Sequence, residues 1–123
     1  MTDRIPSRRV RFAWPDGFDP VWTPRAPELS LAADAVSLLM PHAEPYVVAS
    51  VRAAADEIEA DHPDLASEAR AYAAQQAQHH GQHRRFNDLV VARHPGLARV
   101  DRALAWTFAR LRRRSTRFGL AFA

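Results

Sequence analysis

Residues 65–90 read LASEARAYAAQQAQHHGQHRRFNDLV, and the fold turns on which of these side chains point inward. Leu65, Ala69, Tyr72, Gln76, His79, His83, Phe86 and Val90 are separated alternately by four and three residues, the spacing of one face of an α-helix. A run of that length predicts about seven helical turns. Gln76, His79 and His83 sit in the middle of the seam, bracketed by apolar positions, and polar groups on a buried face need partners. Gln75, Gln78, His80 and Gln82 fall on other faces and read as solvated, with His80 the exposed member of its adjacent pair. Asn87 lies at the seam's edge, one turn after His83.

Outward from this helix the pattern stays helical. Leu29, Ala32, Val36 and Leu39 or Met40 form a stripe that Pro41 should end or bend. Val47, Val51, Ala54 or Ala55, and Ile58 then mark a second stripe. Pro45 suits a first turn, which would place Glu44 at that helix's N-terminal end, where the macrodipole favours a carboxylate. Asp61-His62-Pro63-Asp64 reads as a stop followed by a start. A last helix from about Leu97 uses Val100, Leu104, Phe108 and Leu111 and is followed by the apolar tail Phe118 to Ala123. No period-two alternation occurs, so the expected class is all-α, a helical bundle.

Residues 1–27 differ in kind. Pro6, Pro15, Pro20, Pro24 and Pro27 and the turn Trp14-Pro15-Asp16-Gly17 predict an irregular, proline-rich N-terminal arm. Its aromatics Phe12, Trp14, Phe18 and Trp22 suggest that it packs against the helices. Residues 28–123 make up the expected helical domain.

Composition bounds the function. A chain of 123 residues is one modest domain, and 47% hydrophobic with 25% charged residues is ordinary for a globular protein. Without cysteine, disulfides, cysteine-held zinc and thiol nucleophiles are excluded, so a metal must be held by His, Asp or Glu. No apolar run approaches a membrane helix, and the N-terminus lacks a signal-like apolar stretch; a cytoplasmic protein is the expectation. All 17 basic residues are arginine, yet a net charge of +3 does not by itself imply nucleic acid. The clusters at Arg8, Arg9 and Arg11 and at Arg110, Arg112, Arg113, Arg114 and Arg117 read as solvated faces.

His79 and His83, four residues apart, project from one helical face and can share an ion. Gln76 precedes His79 by three residues, the Glu-x-x-His spacing of metal-binding bundles with an amide in place of the carboxylate. An amide is a poor ligand for a hard dication. Tyr72 and Asn87 are candidates for fixing a histidine tautomer from behind. A metal-free hydrogen-bond network inside the core accounts for the same residues, and His42, His62, His80 and His94 read as cap or surface positions without a role.

Two stretches carry a family resemblance. Val36-Ser37-Leu38-Leu39-Met40-Pro41-His42-Ala43-Glu44-Pro45-Tyr46 resembles a segment of the type LSLLFPxGExFF, and Gln75 to Asn87 resembles QExxHxxxHxxxN, the more specific of the two. In that order, behind an aromatic-rich arm, they are similar to the bacterial predicted metal-dependent hydrolases, an all-helical family expected to be ferritin-like. The resemblance implies a divalent metal, Fe, Mn or Zn, with Glu44, His79 and His83 as ligands and Gln76 where the family carries a glutamate ligand. It implies metal-assisted hydrolysis or, alternatively, the oxygen chemistry of a di-metal carboxylate protein. The family's later helices, with further Glu and His ligands, have no counterpart before Ala123. The expectation is therefore a truncated or shortened bundle with an incomplete ligand set, whose activity stays open. The different-class alternative is a non-catalytic helical interaction module. In either case the uncovered seam predicts a homo-oligomer or a covering partner.

Overall fold

The computed structural model describes residues 10–122, all-α, with four helices and no strand among them. Arg8 and Arg9 of the arm and Ala123 of the tail lie outside the described residues. The helices are α1 (Pro27–Ile58), α2 (Pro63–Arg93), α3 (Leu97–Arg114) and α4 (Thr116–Phe122).

α1 runs unbroken through Pro41 and Pro45, where a break was expected, and Glu44 therefore lies in mid-helix, far from any N-terminal dipole. For Pro41 the physical reason is visible at Ser37. Pro41 has no N–H, so the carbonyl of Ser37, four residues earlier, loses its helical donor. Asn87 on α2 replaces it: its Nδ2 donates to Ser37 O at 2.8 Å. A proline normally disfavoured inside a helix is accommodated here by a side chain from a neighbouring one.

α1 and α2 are antiparallel, as the short turn between them requires. Ser37 meets Asn87, Glu44 meets His79, and Val47, Val48 and Val51 pack on Ala69, Ala73 and Ala77. This contact corrects the expected α2 seam. Leu65 and Tyr72 are 54% and 42% exposed, and the buried line passes instead through Ala66, Ala73, Asn87 and Val90. Alanines let the two backbones approach closely, and the larger Leu65 and Tyr72 are displaced to the flank. The N-terminal half of α1 is likewise turned from expectation: Ser30, Asp34, Ser37 and Leu38 are buried, while Leu29 and Val36 face outward.

α3 has no fully buried residue and docks on α1 through a few contacts. His42 Nε2 lies 2.7 Å from Asp101 Oδ1, so His42 is a buried inter-helix contact rather than the surface residue expected. Tyr46 makes a tilted ring contact with Phe108, centroids 6.1 Å apart, and its hydroxyl donates to the carbonyl of Ser115. α4 returns onto α1 with Gly119 against Ser50 and Tyr46.

Residues 10–26 carry neither helix nor strand and lie against α1 and α2. Phe18 N–H donates to Pro15 O at 3.1 Å, closing a turn in which Gly17 has φ 74°, a conformation glycine adopts without strain. Arg93 donates to Gly17 O at 3.0 Å, Phe12 N–H to Gln82 Oε1 at 3.3 Å, and Thr23 N–H to Ser30 Oγ at 2.8 Å. Trp14 and Phe18 rest on the Phe86 ring, at 5.0 and 5.5 Å between centroids.

Candidate metal centre

The two long helices bring Glu44, His79 and His83 together, with one donor atom of each within 4.8 Å of the others. Glu44 comes from the middle of α1, and the histidines come from successive turns of α2. The two imidazoles meet edge to face, centroids 4.6 Å apart. Glu44 Oε1 is 2.6 Å from His79 Nδ1. The carboxylate is buried, while the His79 side chain is 56% exposed, so the cluster opens to solvent on the His79 side.

His83 is oriented from behind. Asn87 Nδ2 is committed to Ser37 O, which turns Asn87 Oδ1 toward Ser37 Oγ, and Ser37 donates to it at 2.7 Å. A hydroxyl has one hydrogen. Ser37 Oγ, 2.8 Å from His83 Nδ1, must therefore accept there, so His83 carries its proton on Nδ1 and leaves Nε2 with a free lone pair. Burial, followed by the nearby His79, pushes the His83 pKa below the ordinary histidine value and keeps the ring neutral, the form that binds metals.

Glu44 is in the opposite situation. Burial raises its pKa, partly offset by the charge and hydrogen bond of His79 and by the charge of His80. Its second oxygen, Oε2, is buried with no hydrogen-bond partner. A buried carboxylate oxygen without a donor costs about 1–3 kcal/mol or more, and a cation shared with the adjacent imidazoles would remove that cost. The donor set fits a divalent metal: one carboxylate and two imidazoles suit Zn, Fe or Mn.

The other residues singled out from the sequence are placed differently. Gln76 is half-buried one turn before His79, and Tyr72 is exposed two turns before it. Asn87 reaches His83 through Ser37 rather than directly. His80 was expected to be solvated, but it is half-buried, its Nδ1 is buried without a partner, and it lies close enough to act on the charge of Glu44. The helix has rolled slightly from the expected seam, drawing His80 in and leaving His79 at the rim. Ser37 and Asp34 were missed; their signal is the 4,3 spacing of Ser30, Asp34 and Ser37 just before a mid-helix proline.

The chain is all-helical, and its central helix pair presents a Glu and two His to one point as a candidate carboxylate–imidazole metal site. The sequence model of the predicted metal-dependent hydrolase family matches residues 6–123, and the chain belongs to that family. No curated protein and no solved structure matches it. No helix among the described residues is long and apolar enough to cross a membrane.

Proposed function

We propose that the chain is a metal-dependent hydrolase in which Glu44, His79 and His83 hold one divalent transition metal. The observation that carries this reading is the buried, half-unsatisfied Glu44 carboxylate against two imidazoles, one of them held by Ser37 as the Nδ1–H tautomer. A metal held by these residues would supply a Lewis acid that lowers the pKa of a bound water enough to make it a nucleophile near neutral pH.

The chain's own groups prepare that chemistry. Ser37 and Asn87 fix the ring plane and tautomer of His83, so that Nε2 is presented without a rotameric search. Burial raises the Glu44 pKa, so the carboxyl holds its proton more tightly in the absence of a cation, and a metal bound there would displace that proton and compensate the buried charge. His79, at the rim, leaves one side of the cluster open to water and substrate. Gln76 lowers the negative charge of the cluster relative to the family's usual glutamate, which weakens the hold on a dication.

The test is a set of thermal melts with Zn(II), Mn(II) or Fe(II) and with chelator. At about a hundredfold excess over Kd the parent should gain roughly 2.7 kcal/mol of stability. Glu44→Gln and His83→Ala should lose that gain, and Gln76→Glu should enlarge it. Hydrolysis of chromogenic 4-nitrophenyl esters should follow the same order. A parent whose melt is indifferent to every metal would overturn the reading and return the cluster to a core hydrogen-bond network.

A further inference from the structure

Beside the cluster is a cavity of about 440 Å³, walled by the arm residues Phe12, Trp14, Phe18 and Trp22 and by Phe86 of α2, with His79 and His83 at its edge. We propose that this cavity binds the apolar part of an uncharged small-molecule substrate, an aryl or short alkyl group, and holds the adjoining bond against the His79–His83 edge. The proposal rests on the hydrolase reading and names its substrate class.

Size, wall chemistry and position each support it. The volume lies in the roughly 300–1,000 Å³ range of small-molecule sites, which are mostly apolar with a few placed polar groups. Trp14, Phe18 and Phe86 form a mutually tilted cluster with centroids 5.0–5.5 Å apart, a set of ring edges and faces suited to another apolar or aromatic group. Among the described residues the wall contains no arginine, so a carboxylate or phosphate placed among the aromatic rings would find no guanidinium partner. Its one acidic residue, Asp34, would repel such an anion further. Asp34 also fixes one wall of the cavity, because its Oδ1 accepts from Trp22 Nε1 at 3.3 Å. The arm is thus more than a wrapping segment. It places four aromatic rings over the one edge of the helix pair where Glu44, His79 and His83 converge.

The site is tested on the metal-free full chain in a Trp106→Phe background, so that Trp14 and Trp22 are the remaining tryptophans. Bromine quenches tryptophan on contact, and three probes are compared: 4-bromobenzyl alcohol, 4-bromobenzoate and 3-bromo-1,2-propanediol. The alcohol should quench saturably, the benzoate should bind about tenfold more weakly because its charge is desolvated unpaired, and the diol should quench only by collision. Ala33→Phe, which fills the cavity from α1, should abolish the saturable phase. Gln82→Arg, at a half-buried lining position whose Oε1 accepts from Phe12 N–H, places a cation in the wall and should bring the benzoate level with the alcohol. Linear quenching by all three probes, or saturable binding that ignores both substitutions, would overturn the proposal. Because the readout needs no metal, a failure of metal binding leaves it standing, and a chain that binds metal but no probe refutes the pocket alone.

Discussion

Asn87→Ala isolates the device that lets α1 pass through Pro41. In the parent, Asn87 makes two bonds to Ser37, to its carbonyl at 2.8 Å and to its hydroxyl at 2.7 Å, and both residues are buried. Truncation leaves the Ser37 carbonyl without a donor, because Pro41 cannot supply one. The Ser37 hydroxyl can turn its hydrogen toward His83 Nδ1, so one orphaned group is counted, at about 1–3 kcal/mol. That is a large part of the roughly 5–15 kcal/mol by which a domain is stable. The redirected hydroxyl also converts His83 to the Nε2–H tautomer, removing the lone pair offered to a metal, and affinity should fall by about 10–100-fold. The decisive comparison is a double-mutant cycle with Pro41→Ala, which restores an N–H aimed at Ser37 O. Urea midpoints at constant m-value give the four stabilities. Asn87→Ala should cost less in the Pro41→Ala background, with a coupling of about 1 kcal/mol or more. Equal costs in both backgrounds, within about 0.5 kcal/mol, would refute the claim that Asn87 serves the carbonyl freed by the proline.

Two further outcomes follow from buried groups elsewhere. Burial raises the Asp34 pKa above its ordinary value of 3.8, partly offset by the Trp22 hydrogen bond and by His94. Between 3.8 and the raised native value the folded chain keeps a proton that the unfolded chain has lost, so stability falls as pH rises through that window. Asp34→Asn should therefore melt higher than the parent at neutral pH and lose that advantage below the unfolded value; a difference constant with pH would contradict the burial argument. Gly119→Ala should destabilise the chain by about 1–3 kcal/mol despite alanine's better helix propensity. The added Cβ would lie 2.8 Å from Tyr46 Cζ and against Ser50 Oγ. Faster amide exchange in α4 is the expected sign, and unchanged protection would show that α4 can shift without cost.

Local pattern alone made the all-helical class legible. Apolar residues at three- and four-residue spacing, Pro63 at a helix start and the lack of alternation depend on the geometry of a single helix, which sequence carries directly. The same is true of the candidate site, since His79 and His83 at i and i+4 must share a face wherever the helix lies. The roll of α2 could not be read this way. A 4,3 pattern defines a broad stripe, and the centre of that stripe is set by how closely the partner helix approaches. Here the alanines won over Leu65 and Tyr72, moving His80 inward and His79 to the rim.

Pro41 makes the distinction sharpest. Its sequence signal is a helix break, and by itself it removes a hydrogen bond that nothing nearby in the chain replaces. Only the tertiary structure supplies the missing donor, from Asn87, fifty residues away from Ser37. That contact satisfies the carbonyl that Pro41 leaves open in a continuous α1, which carries Glu44 in mid-helix opposite the histidines, and the same asparagine accepts from the Ser37 hydroxyl that orients His83. The sequence by itself determined which side chains could bind an ion. Their convergence was decided by the packing of α1 on α2, including the long-range hydrogen bond at Ser37, because the free energy of satisfying a buried carbonyl depends on a neighbour in space rather than along the chain.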